Sequence, residues 1–167
     1  MKIKLAGLVA DSIVDGPGFR FTIFTQGCPH KCEGCHNPQT HDFNGGRYAD
    51  CDKIIEKIIQ NKMTTGVTFS GGDPFCQSEA CAYLADRLKP MGYHLMCYTG
   101  YTFEQLLEMA QNDKSTEKFL SLLDIIIDGK FILAQRSLEL KYKGSKNQRT
   151  IDVQESIKQG RAVEVEI

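Results

Sequence analysis

Three cysteines crowded into eight residues are the first chemistry this chain offers. Cys28-Pro-His-Lys-Cys32-Glu-Gly-Cys35 spaces its thiols as C-x3-C-x2-C. Thiolates are the preferred ligands of iron–sulfur clusters and of zinc, and three from one loop can hold three corners of a cubane cluster. No fourth cysteine stands nearby at a matching interval, so one iron would remain open to a substrate, as catalytic metal centres keep one position free. The plainer alternative is a Cys3His zinc site completed by His30, His36 or His41. Ser70-Gly71-Gly72-Asp73-Pro74 is the second candidate. Paired glycines let a backbone come close to a ligand and offer it amide and carbonyl groups. They also suit a simple strand-to-helix turn with Asp73 as a helix N-cap. Cys51, Cys76, Cys81 and Cys97 are scattered and read as small buried hydrophobes.

These candidates need elements to position them. Phe19 to Thr25 is aromatic and β-branched and reads as a strand, with Gln26 to Gly46 a long functional loop behind it. Asp50 caps a helix bearing Ile54, Ile55, Ile58 and Ile59 on one face. Gly66 to Phe69 reads as a short buried strand, Ser78 to Leu88 as a helix stopped by Pro90 and Gly92, and His94 to Tyr98 as a third strand. A helix follows over Phe103 to Ala110, with Leu106 and Leu107 inward, and another near Glu117 to Leu123. Asp124 to Asp128 then suits a parallel strand covered on both faces. Ile151 to Gln159 reads as a last helix and Arg161 to Ile167 as an edge strand. Strands alternating with helices mean a mostly parallel sheet, with its site at the C-terminal strand ends. The three candidate loops all follow strands, so they are expected on one rim.

The remaining composition narrows the classes. The chain has 167 residues, 41% apolar and 25% charged, which suits one domain over residues 1–167. Its 20 basic and 21 acidic side chains leave a net charge of −1, which argues against a nucleic-acid binder with a broad basic face. No apolar run approaches the ~20 residues of a membrane span. The first residues lack an apolar signal core, so the reducing cytoplasm is the expected compartment, where clustered cysteines bind metal more often than they form disulfides. Lys141, Lys143, Lys146 and Arg149 form a modest basic patch, a solvated face or a docking surface.

The cysteine array followed by Gly-Gly-Asp-Pro resembles the radical S-adenosylmethionine enzymes. Asp15-Gly16-Pro17-Gly18-Phe19-Arg20 is similar to the leader of their glycyl-radical-activating branch. The run from Gly27 to Pro38 and Lys146-Asn147-Gln148-Arg149 resemble the branch that activates anaerobic ribonucleoside-triphosphate reductases, over about residues 8–160. The resemblance implies an open partial (β/α) barrel of about five or six mostly parallel strands. It also implies an oxidoreductase that forms a 5′-deoxyadenosyl radical by reductive cleavage of S-adenosylmethionine. Cys28, Cys32 and Cys35 would ligate a 4Fe-4S cluster with one open iron. Ser70, Gly71, Gly72 and Asp73 would meet the methionyl group, and Gly34, Cys35, His36 and Asn37 the adenosine, with Thr99 a further polar contact. Asp128 and Lys130 match charged positions near the ligand. The implied partner is the reductase, whose glycine loop is the substrate, with an electron donor such as flavodoxin. Two departures stand out: Gly34 where many members carry an aromatic residue, and Asp73 where glutamate is common. The competing readings are a small-molecule radical enzyme, such as a 7-carboxy-7-deazaguanine synthase, and a non-catalytic zinc module.

Overall fold

Side-chain alternation along the central strands decides how this sheet is covered. The computed structural model describes all 167 residues. The strands are β1 (Lys2–Ser12), β2 (Arg20–Thr25), β3 (Arg47–Asp50), β4 (Gly66–Gly71), β5 (His94–Tyr98), β6 (Ile125–Asp128) and β7 (Arg149–Asp152). The helices are α1 (Cys51–Gln60), α2 (Ser78–Leu88), α3 (Phe103–Asn112), α4 (Lys114–Leu122) and α5 (Val153–Gln159). All seven strands join one open sheet in the order β3-β1-β2-β4-β5-β6-β7. The neighbours β2, β4, β5 and β6 run parallel, and the outer pairs are antiparallel.

Ile23, Phe69, Cys97, Ile126 and Ile151 form one register row across five strands. All are fully buried against helix residues such as Ile54, Leu84, Leu106, Phe119 and Val153. Each such apolar side chain contributes roughly 1.5–3 kcal/mol when removed from water. The next row, Thr22, Thr68, Met96 and Ile125, faces the other way by the period-2 rule. No helix covers that inner face. The segment 13–19 folds onto it instead: the Asp15 carboxylate accepts from Ser12 Oγ at 2.5 Å and Thr22 Oγ1 at 3.0 Å, and the Asp15 carbonyl accepts from Thr68 Oγ1 at 2.8 Å.

Arg20 stands under this segment, only 1% exposed and with no carboxylate partner. Its guanidinium donates to Thr68 Oγ1 at 2.6 Å and to the carbonyls of Pro17, Val67 and His94 at 2.9–3.0 Å. Burial lowers its pKa to about 10. Five hydrogen-bond donors in a fixed fork make such a satisfied, unpaired burial feasible.

The structure corrects several sequence expectations. There are seven strands rather than five or six, because β1, β3 and β7 were not anticipated. Residues 149–152 are strand, and the last helix starts only at Val153, where the Asp152 side chain accepts from the Glu155 N–H. The tail 161–167 forms no strand and makes one isolated bridge, Ile151 to Glu164. Ile59 is exposed, and Cys76 is exposed whereas Cys51, Cys81 and Cys97 are buried. No helix is long and apolar enough to cross a membrane.

Candidate active site

The connections after β2, β4, β5 and β6 all leave the C-terminal edge of the parallel strands, the edge where such sheets place ligands. They enclose a cleft of about 670 Å3. Cys28, Cys32 and Cys35 all border it, and they are its only thiols. Cys35 Sγ accepts the Asn37 N–H at 3.4 Å, and the His30 and Phe131 amides favour the Cys28 and Cys32 thiolates. Such bonds to ligand sulfurs orient the loop and tune an iron–sulfur centre. In the metal-free chain, burial outweighs them and pushes the Cys28 and Cys32 thiols up. No three cysteine, histidine or carboxylate side chains converge as one metal ion requires. The donor set, three thiols bordering one cleft, is of the kind that iron–sulfur clusters take.

The cysteine loop and the Gly-Gly turn are locked together through the backbone. Gly72 N–H donates to the Thr25 carbonyl at 2.7 Å, and Asp73 N–H to the Gly27 carbonyl at 2.9 Å. A Cβ on Gly72 would lie 2.3 Å from that Gly27 oxygen. On Gly71, at φ +94°, it would lie 2.4 Å from the Thr25 nitrogen. Both glycines are required by this crossing as well as by any ligand.

Asp73 is the hub behind the cleft. It is fully buried and does not line the cavity. Its carboxylate accepts from Thr99 Oγ1 at 3.0 Å, Gly100 N–H at 3.0 Å and Phe75 N–H at 3.1 Å. His30 Nε2 lies 2.5 Å from its Oδ2. His30 also packs edge-on against Tyr101, with ring centroids 4.6 Å apart. A Cβ on Gly100 would come within 2.3 Å of that imidazole. The pair His30–Asp73 therefore ties the cysteine loop to the exits of β4 and β5.

The other expected residues divide. Ser70, Gly71, Gly72, His36, Asn37 and Thr99 border the cleft with the cysteines. The Thr99 hydroxyl is already engaged, donating to Asp73 and accepting the Tyr101 N–H at 3.1 Å. Gly34 does not border the cleft; at φ +74° it faces Leu133, which a Cβ would approach to 2.8 Å. The buried Asp128 takes Arg149 Nη2 at 2.5 Å, Arg149 Nε at 3.1 Å and the Phe103 N–H at 2.7 Å, which makes it a brace for α3 and β7. Lys130 is close enough to Cys32 to favour its thiolate. Sequence reasoning offered His30 only as a possible zinc ligand, not as the partner of Asp73, and missed Gly100 and Phe131. The available signal for His30 was Asp73 itself, whose short side chain leaves room for an imidazole.

Comparison with known proteins adds the family. Residues 14–151 match the model of a 4Fe-4S single cluster domain. The anaerobic ribonucleoside-triphosphate reductase-activating protein of Vibrio cholerae is 36% identical over 144 residues, covering 81% of this chain and 89% of that protein. Those of Escherichia coli K12 and Enterobacteria phage T4 are 31% and 32% identical over 144 residues. They cover 81% of this chain and 90% and 85% of those proteins. Among solved structures, QueE from Escherichia coli shares the fold with a TM-score of 0.51 at 19% identity, over 61% of this chain and 54% of that one. A thiol-lined cleft on this sheet, in a sequence so closely matched along most of its length, means that the chain belongs to the family of anaerobic ribonucleoside-triphosphate reductase-activating proteins.

Proposed function

We propose that the chain makes a glycyl radical on an anaerobic ribonucleoside-triphosphate reductase, as a cytoplasmic oxidoreductase of the radical S-adenosylmethionine class. One observation carries this reading: three thiols, and no others, border one cleft beside the Gly71–Gly72 backbone. Cys28, Cys32 and Cys35 would hold a 4Fe-4S cluster with one iron left for S-adenosylmethionine. When bound, these groups would supply one-electron cleavage of the sulfonium, for which such clusters reach potentials down to about −700 mV, and with it the removal of hydrogen from a glycine Cα of the partner.

The chain's own residues hold and shield. The Asn37 amide holds the Cys35 sulfur, and the His30 and Phe131 amides favour the Cys28 and Cys32 thiolates. Gly71 and Gly72 open their backbone to the methionyl end, and His36 and Asn37 border the space for the adenosine. Asp73, with all its partners internal, keeps Thr99 and the cysteine loop in register. A flavodoxin-type protein is the proposed electron donor. The small-molecule alternative draws no support from the reductase-activating relatives named above.

The test is anaerobic reconstitution with iron and sulfide, followed by dithionite, S-adenosylmethionine and the reductase of the same organism. Electron paramagnetic resonance should show a glycyl radical on the reductase. None should appear with Cys32→Ala. A fully loaded chain that cleaves S-adenosylmethionine yet leaves the reductase without a radical would refute the reading.

A further inference from the structure

The segment from Gly129 to Gln148 leaves β6, borders the cleft and returns to β7. Its charge is out of step with the rest of the molecule. It carries Lys130, Arg136, Lys141, Lys143 and Lys146 against the single carboxylate of Glu139, a net +4 within a chain of net −1. None of these five cations takes part in an ion pair. Arg149, grouped with them from the sequence, does not belong to the patch, because it is spent on Asp128 and Glu104.

The base of the segment is clamped by side chains. Asn147 Nδ2 donates to the Lys130 carbonyl at 2.7 Å, and Gln148 Nε2 to the Gly129 carbonyl at 3.0 Å. Gln148 Oε1 accepts the N–H groups of Gly144 and Ser145. Beyond this base Tyr142 packs against the Met96, Ile125 and Ile127 cluster, and the tip before it is largely exposed. Leu138 is 84% exposed, and Arg136, Leu138, Tyr142 and Lys143 border the same cleft as the cysteines. Val14, 73% exposed and next to the exposed Ile13, borders that cleft from the 13–19 segment. Apolar tips ringed by unpaired cations match the apolar core and charged rim of protein interfaces.

We propose that this arm is the docking surface for the reductase: Leu138 seats in an apolar depression of a partner surface whose acidic side chains meet the arm's cations. The proposal rests on the function given above and adds where the partner binds and what chemistry it presents. Docking there would hold a segment of the partner over the cleft. The occupant is a protein because an exposed leucine between the cations gains nothing against nucleic-acid phosphates, whereas complementary charge around an apolar contact speeds and orients protein association.

The test measures binding of the cluster-loaded chain to the reductase of the same organism, under nitrogen, at about 50 and about 300 mM salt, where screening shortens to within a few ångströms. The parent Kd should rise roughly tenfold with salt. Lys141→Glu with Lys146→Glu should weaken binding roughly tenfold at low salt and remove most of the salt dependence. Leu138→Ser should weaken it at both salt levels. Iron content and partner-free cleavage of S-adenosylmethionine by the charge-reversed chain should equal the parent's. Radical formation by the parent is scored in parallel, so failure of the function and failure of the arm read differently. Parent-like affinity in both variants overturns the proposal. So does a short DNA duplex that binds more tightly than the reductase and is lost with the same charge reversal.

Discussion

On the helix side of the sheet, Ile23, Phe69, Cys97, Ile126 and Ile151 are all 0% exposed. One residue back in register, Thr22, Thr68 and Met96 are also 0% exposed, with Arg20 at 1% beside them. Equal burial hides opposite construction. The helix side is held by shape, where Phe69 meets Phe119 edge-on at 5.1 Å. The inner side is held by hydrogen bonds, where one threonine hydroxyl serves both Arg20 and the Asp15 carbonyl. The first should tolerate polarity-neutral swaps and resent cavities; the second should tolerate little loss of polar atoms, whatever the volume. At the C-terminal edge a third condition rules, the close crossing of two backbones at Gly27 and Gly72.

That edge gives the largest expected effect. Gly72→Val drives a side chain into the Gly27 carbonyl, next to Cys28. The loaded iron per chain should fall to about a tenth or less, because the clash is with backbone that cannot move aside cheaply. Full iron loading with weakened S-adenosylmethionine affinity would assign the glycine to the ligand alone. Next comes the helix side. Phe69→Ala should lower the unfolding free energy of the cluster-free chain by about 3–5 kcal/mol in anaerobic urea titrations.

Thr68→Val tests the inner side at nearly constant volume. It should cost about 1–3 kcal/mol, because Arg20 Nε and the Asp15 carbonyl each lose a partner. Ile23→Leu across the sheet should cost under about 1.5 kcal/mol. If Thr68→Val costs no more than Ile23→Leu, the two faces do not differ in kind. The smallest effect is on pH. Burial and then the neighbouring Arg20 lower the His94 pKa, against a weaker opposing pull from Asp124, and its Nδ1 is buried without a partner. A histidine whose folded pKa is depressed binds protons more readily unfolded. Stability should therefore be complete above about pH 6.5 and decline as pH falls from there toward the folded pKa. His94→Gln should flatten that part of the curve in urea midpoints measured across pH.

The central sheet was legible because β2, β4, β5 and β6 are short, largely apolar or β-branched runs, β4 ending at Gly71 and β6 at Asp128. The bounds of α2 and β5 agree with the sequence reading to the residue. The outer strands were not legible for physical reasons. β1 is interrupted by register shifts at Leu5–Gly7 and Val9–Ser12, which break its alternation. β7 is only Arg-Thr-Ile-Asp, and it runs straight into the helix that its last residue caps. The cysteine array stood out through its spacing, which by itself left an iron–sulfur cluster and a zinc site both open. The contact between His30 and Asp73 joins residues 43 apart in the chain, which no local pattern encodes. Gly34 and Asp73 read as ligand contacts by position, yet their surroundings are Leu133 and an internal hydrogen-bond hub.

The clamp at the foot of the arm has an evolutionary consequence. Asn147 and Gln148 fasten the returning chain to the outgoing carbonyls of Lys130 and Gly129 through side chains, so both exits of the loop are fixed whatever lies between them. Doubling the length of a flexible loop costs only about 0.6 kcal/mol. The tip is thus an exchangeable cassette. Insertions or replacement between residues 137 and 141 can refit the chain to a differently shaped reductase, while Tyr142 stays packed on the Met96, Ile125 and Ile127 cluster and the thiol-bearing loop keeps its geometry.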